Sequence, residues 1–158
     1  MARPHRIQIP GGIYHVWTRG VDKQAVFLDR ADRERFQSLL AVVLARHAWK
    51  CLSYCQMTNH FHLVIETRLA DLGDGMKHLN QCYAQSFNRR HGRKGHLFES
   101  RYGSVVVDDE AHLLTELAYV ALNPVRGGLC ADPLDSRAAA RRLDAFVRAQ
   151  LAADDTKL

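Results

Sequence analysis

The stretch Met57-Thr58-Asn59-His60-Phe61-His62-Leu63-Val64-Ile65-Glu66 restricts the possible folds more than any other part of the chain. Phe61, Leu63 and Ile65 alternate with His60, His62, Val64 and Glu66. Successive side chains of a strand point to opposite faces, so a period of two reads as a β-strand. The apolar set is expected in a core. His60 and His62 then project side by side from the other face. A helix could not do this, because positions i and i+2 do not share a helical face. Two neutral imidazoles on one rigid strand form two-thirds of a divalent metal site.

Such a site still needs a third ligand and a reactive group. Leu117-Ala118-Tyr119-Val120-Ala121-Leu122-Asn123-Pro124 places Tyr119 and Asn123 four residues apart, one turn from each other on one helical face. A phenol beside an amide carbonyl, carried over the histidine pair, would suit phosphoryl transfer with a tyrosine nucleophile. On the residues alone, a packed core tyrosine is the simpler reading of Tyr119. Tyr83 is a rival nucleophile, but it falls in an apolar helical stripe. Tyr54 and Tyr102 have no partner at helical spacing.

At 158 residues the chain is expected to form one domain with a sizeable core. Its net charge of +5 is compatible with a polyanionic partner. Met1 to Pro10 is polar and basic without an apolar segment, and no apolar run approaches a membrane span. A cytoplasmic protein with reduced thiols and no membrane partner is therefore expected. Cys51, Cys55, His60 and His62 invite a structural zinc reading, but a Cys₂His₂ finger wants a longer gap between its pairs.

Taken in order, residues 1–12 form a basic arm ending in the Pro10-Gly11-Gly12 turn, followed by a domain over 13–130 and a tail over 131–158. Ile13 to Arg19 reads as a strand with Tyr14, Val16 and Thr18 on one face and Ile13, His15, Trp17 and Arg19 on the other. Asp29 or Asp32 can cap a helix carrying Phe36, Leu39, Leu40 and Val43 and ending near His47. Trp49 to Gln56 pairs as a hairpin with the histidine strand. Asp71 to Arg90 is a second helix with Leu72, Met76, Leu79, Tyr83 and Phe87 inward, and Gly92 fits its C-cap. A basic loop follows, then a short strand within 101–107. Asp108 or Asp109 caps a third helix over 110–123, which Pro124 is expected to stop. A last amphipathic helix is expected over 137–153. The order β-α-β-β-α-β then α is the split-βαβ, ferredoxin-like pattern, an α+β fold with a central antiparallel sheet flanked by helices.

These residues resemble the HUH single-tyrosine transposases, and within them the REP-associated tyrosine transposases. The matching pieces are Pro10-Gly11-Gly12-Ile13-Tyr14-His15-Val16, Thr18-Arg19-Gly20, Met57 to His62, Phe87 to Gly92, Gly95 to Tyr102, and Leu122-Asn123-Pro124-Val125-Arg126. The resemblance covers about residues 10–130. It implies that Tyr119 is the nucleophile, that His60, His62 and Asn123 are metal ligands, and that the cofactor is Mg²⁺ or Mn²⁺. It also implies cleavage and rejoining of single-stranded DNA at palindromic hairpins through a 5′-phosphotyrosine, with a free 3′-OH on the other side. The third helix would cross the sheet face that bears the histidines. DNA phosphates would be met by Arg19, Lys23, Arg89, Arg90, Arg93, Lys94 and Arg101, with bases stacking on Phe98 and Tyr102.

Within that resemblance a monomer is favoured over a homodimer, cytoplasmic and nucleoid-associated when bound to DNA. The alternative function is a non-catalytic hairpin-binding protein of the same fold. One departure stands out: the aromatic-rich Trp-Ser-Ser segment expected after Asn123-Pro124-Val125 is replaced by Asp135-Ser136-Arg137 and an Ala/Arg-rich tail.

Overall fold

The computed structural model describes residues 6–130. The first five residues of the basic arm and the helix expected over 137–153 lie outside them. The elements are β1 (Ile13–Arg19), α1 (Arg30–His47), β2 (Lys50–Gln56), β3 (His60–Glu66), α2 (Leu72–His91), β4 (Gly103–Val106) and α3 (Glu110–Arg126). The strands form one antiparallel sheet in the order β2-β3-β1-β4. This is the ferredoxin-like α+β arrangement expected, with the histidine strand central. No helix among the described residues is long and apolar enough to cross a membrane.

One sheet face is the main core. Tyr14 and Val16 of β1 and Phe61, Leu63 and Ile65 of β3 meet Phe36, Leu40, Val43 and Leu44 of α1 and Met76, Leu79, Tyr83 and Phe87 of α2. The Phe36 ring packs 4.6 Å from Phe61, 5.3 Å from Tyr83 and 5.4 Å from Phe27, centroid to centroid. Burial of each such side chain contributes about 1.5–3 kcal/mol. Gly75 is required where α2 crosses Trp49, since a Cβ there would lie 2.1 Å from the indole ring.

The ends of α1 and α2 are tied together by charge. Asp29 caps α1, its carboxylate accepting from the Asp32 amide at 3.0 Å. Arg90, in the last turn of α2, pairs with Asp29 and Asp32, each at 2.6 Å. His91 adds a 2.9 Å contact to Asp32.

The other face carries α3. Asp109 caps it by accepting from the His112 amide at 2.7 Å. Val120 joins Cys55, Met57 and Val64 in a second, smaller buried cluster, with Leu113 and Leu117 alongside. The helix does not stop at Pro124, as expected, but continues to Arg126. The fixed φ of proline is itself helical, so a proline this near the end forfeits one hydrogen bond, and burial of its ring offsets that loss. The Gly127 amide then closes the helix onto the Asn123 carbonyl at 2.9 Å.

Candidate active site

The two faces of β3 divide the labour: Phe61, Leu63 and Ile65 enter the main core, while His60 and His62 face α3. Antiparallel register sets Trp17 opposite His62 and Arg19 opposite His60. Directly paired residues share a face, so His15, two positions along β1, becomes the diagonal neighbour of His62. A cavity of about 420 Å³ opens there, lined by His15, Trp17, Arg19, His60 and His62 from the sheet and by Glu116 and Tyr119 from α3. Gly103 of β4 makes room for the Trp17 wall, because a Cβ at that position would lie 2.2 Å from the indole.

Tyr119 stands at this cavity and is 41% exposed. Its ring centroid lies 5.5 Å from His62 and 5.7 Å from His15, with edge-on geometry to both. The rings of His60 and His62 are 5.0 Å apart and nearly perpendicular. The rival tyrosines have other duties. Tyr83 is buried in the main core and donates to the Val26 carbonyl at 2.6 Å, and burial pushes its phenol well above the ordinary range. Tyr54 and Tyr102 are also buried.

Every imidazole at the cavity has a defined partner. His60 Nδ1 lies 2.6 Å from Asn59 Oδ1, and the Asn59 amide nitrogen donates to the Lys23 carbonyl at 3.2 Å. His62 Nδ1 lies 2.9 Å from His15 Nε2. His15 Nδ1 in turn lies 2.7 Å from Glu116 Oε2, and His112 Nε2 lies 3.3 Å from Glu116 Oε1. Burial pushes His62 down to about 3, with His15, His60 and Arg19 adding to the effect. Burial and Arg19 lower His60 as well. His15 is lowered by burial, against the opposing pull of Glu116. Each of these shifts favours the neutral form of its ring.

The Nδ1 atoms of His60 and His62 being engaged, their Nε2 atoms are the nitrogens available to a metal ion. Among the described residues no group of three or more His, Cys, Asp or Glu side chains is arranged to hold one. Asn123 is not a lining residue of the cavity, and its Nδ2 is buried without a hydrogen-bond partner. Two imidazoles at the cavity would suit a divalent ion that keeps water and substrate oxygens for its remaining positions. The zinc reading fails on geometry: Cys51 packs against the main core, whereas Cys55 lies in the small cluster on the other face of the sheet.

The basic residues separate by location. Arg19 lines the histidine cavity. Lys23, Arg89 and Lys94 are exposed, and Arg101 lines a separate groove of about 630 Å³ beside Asn88 and Phe98. Arg90 is held in the clamp to Asp29 and Asp32. Arg93 donates to Gln24 at 3.1 Å and lies over Phe87. Of the two expected stacking aromatics, Phe98 is half-buried and lines the groove of Arg101, whereas Tyr102 is closed off. Tyr102 is buried beneath the Arg6 guanidinium, 4.2 Å above its ring, and Phe98 packs against the main core. Trp17 is instead the half-buried aromatic at the cavity. His15, Glu116 and Trp17 were not singled out as site residues from sequence. The signal was present, since β1 alternation puts His15 and Trp17 on one face and helical spacing puts Glu116 on that of Tyr119.

Fold and site together define an α+β protein whose helix-borne tyrosine overlooks paired histidines on the sheet. The sequence profile described as "Transposase IS200 like" matches residues 9–123, and the chain belongs to that transposase family. Its fold is shared with a REP-associated tyrosine transposase solved bound to a REP hairpin, at TM-score 0.71 and 14% identity, over 85% of this chain and 79% of that one. A candidate transposase from Deinococcus radiodurans R1 is also similar, at TM-score 0.51 and 15% identity, over 73% of this chain and 92% of that one. Among curated proteins none matches the sequence.

Proposed function

We propose that this transposase is a single-tyrosine endonuclease and strand transferase acting on single-stranded DNA at palindromic hairpins. The observation that carries the reading is the placement of an exposed phenol, Tyr119, edge-on to His62 at the mouth of a cavity that His60 and His62 line. The phenol oxygen bonds to phosphorus as the bond to the 3′ oxygen breaks. The phenol loses its proton and the departing 3′ oxygen gains one. The step exchanges one ester for another, so the 5′-phosphotyrosine stores the bond for rejoining and no energy cofactor is consumed.

His60 Nε2 and His62 Nε2 would hold the Mg²⁺ or Mn²⁺ ion, which when bound polarises the scissile phosphate. Arg19, opposite His60 on β1, supplies fixed positive charge to the phosphate at the cavity rim. Trp17 offers a wall against which an unpaired base can stack. Lys23, Arg89, Lys94 and Arg101 extend the electrostatic track for the DNA backbone, in keeping with the hairpin bound by the structurally similar REP-associated enzyme.

The test is incubation with an end-labelled palindromic oligonucleotide and Mn²⁺, followed by denaturing electrophoresis. A covalent protein–DNA adduct is expected from the wild type and none from Tyr119→Phe. Hairpin binding without an adduct in the wild type would replace this reading with that of a non-catalytic binding protein.

A further inference from the structure

Two hydrogen-bond chains end on the histidine pair, and each begins at a group whose role is fixed by its chemistry. A carboxylate can only accept, so Glu116 Oε2 requires His15 to donate through Nδ1 at 2.7 Å. A neutral His15 then has its lone pair on Nε2. The 2.9 Å contact from that atom obliges His62 to donate through Nδ1, which leaves the His62 lone pair on Nε2. The second chain starts at the Lys23 carbonyl, also acceptor-only. It takes the Asn59 amide protons at 3.2 Å, which turns Asn59 Oδ1 toward His60. His60 must donate to that oxygen through Nδ1 at 2.6 Å, so its lone pair too lies on Nε2.

We infer that His15 and Glu116 are positioning residues that lock His62 in the metal-competent tautomer, with Asn59 doing the same for His60. The relay has a second consequence. Glu116 lies one turn before Tyr119 on α3, so the bond that sets the His62 proton also fastens the nucleophile helix onto β1. His112 steadies Glu116 from the preceding turn, its Nε2 3.3 Å from the other carboxylate oxygen. Nothing else polar among the described contacts joins α3 to the histidine strands. The inference rests on the reading of His60 and His62 as metal ligands, but its central claim concerns ring protons and is measurable without metal.

The experiment is ¹⁵N NMR of the histidine rings in the metal-free wild-type protein, paired with Mn²⁺ titration. Both His60 and His62 are expected with the proton on Nδ1 and a bare Nε2. A proton on Nε2 of folded wild-type His62 would overturn the inference, whatever the metal does. In His15→Phe and Glu116→Leu, His62 is expected to lose its single tautomer and Mn²⁺ binding to weaken by about 10- to 100-fold. Glu116→Gln keeps an acceptor oxygen and is expected to preserve the Nδ1-protonated His62, which a merely steric role for this residue would not require. Unchanged Mn²⁺ affinity in both His15→Phe and Glu116→Leu, with His60→Ala and His62→Ala still weakening it, would remove the relay and leave the metal site standing. Unchanged affinity in the latter two would instead remove the metal site, and the NMR result would decide the relay alone.

Discussion

Tyr119 on α3 stands edge-on to His62 on β3, ring centroids 5.5 Å apart and planes 87° to each other. Their separation in sequence is large, and what brings them together is the small apolar cluster of Val120 with Cys55, Met57 and Val64. The residue next to the phenol anchors the helix, and the phenol itself is left facing the cavity.

Removing only the phenol oxygen isolates chemistry from folding. Tyr119→Phe is expected to abolish the covalent adduct while changing stability by no more than about 0.5 kcal/mol, as for an exposed substitution. Gel detection of the adduct and a urea melt check the two halves separately.

Arg19 tests how the phosphate is met. If it contacts one phosphate at the cavity, Arg19→Ala should weaken binding uniformly across hairpin sequences and reduce the slope of log K against log salt by about 1. Arg90→Ala should leave that slope unchanged, because its guanidinium is held by Asp29 and Asp32. Fluorescence anisotropy over a salt series reads both.

Acid should undo the clamp between α1 and α2. The Arg90 hydrogen bond holds the Asp29 carboxyl down to about 2. Burial pushes Asp32 up, but His91, the Leu28 amide and Arg90 together outweigh it and leave that carboxyl below its ordinary value. A depressed carboxyl contributes stability that is present above the unfolded value, roughly 3.9, and lost as pH falls through the folded value. The melting-temperature deficit of Arg90→Ala relative to wild type should therefore be full near pH 7 and shrink between about pH 4 and pH 2. Thermal melts across that range check the sign.

Gly103 tests the close approach behind the cavity wall. A Cβ at 2.2 Å from the Trp17 indole has to displace the ring. Gly103→Ala is expected to destabilise the fold by about 1–3 kcal/mol, the usual cost of overpacking, and to reduce adduct formation because Trp17 lines the cavity. Paired with Trp17→Phe, which relieves the clash, the stability loss should shrink.

Local pattern was enough for the elements and for the faces of the sheet. Alternation in Phe61-His62-Leu63 and in Tyr14-His15-Val16 determined which side chains enter the main core, because the strand period leaves no other choice. The caps were legible to within a pair, Asp29 or Asp32 and Asp108 or Asp109, because a short acidic side chain before a helical pattern suits that place, and the fold uses Asp29 and Asp109. What local pattern could not decide was anything set by long-range register or by neighbours in space. The diagonal contact of His15 with His62 depends on how β1 slides along β3, and the bond of His15 to Glu116 depends on where α3 settles. Helical spacing put Asn123 on the face of Tyr119, yet Asn123 is not among the residues that line the cavity. The surroundings of Arg90 and Tyr102 were likewise beyond local pattern: Asp29 and Asp32 hold the one, and the other is buried beneath Arg6. The identities of the reactive groups were thus written in the chain, while their partners were chosen by packing, since hydrogen bonds and ion pairs form with whatever the folded backbone brings within about 3 Å.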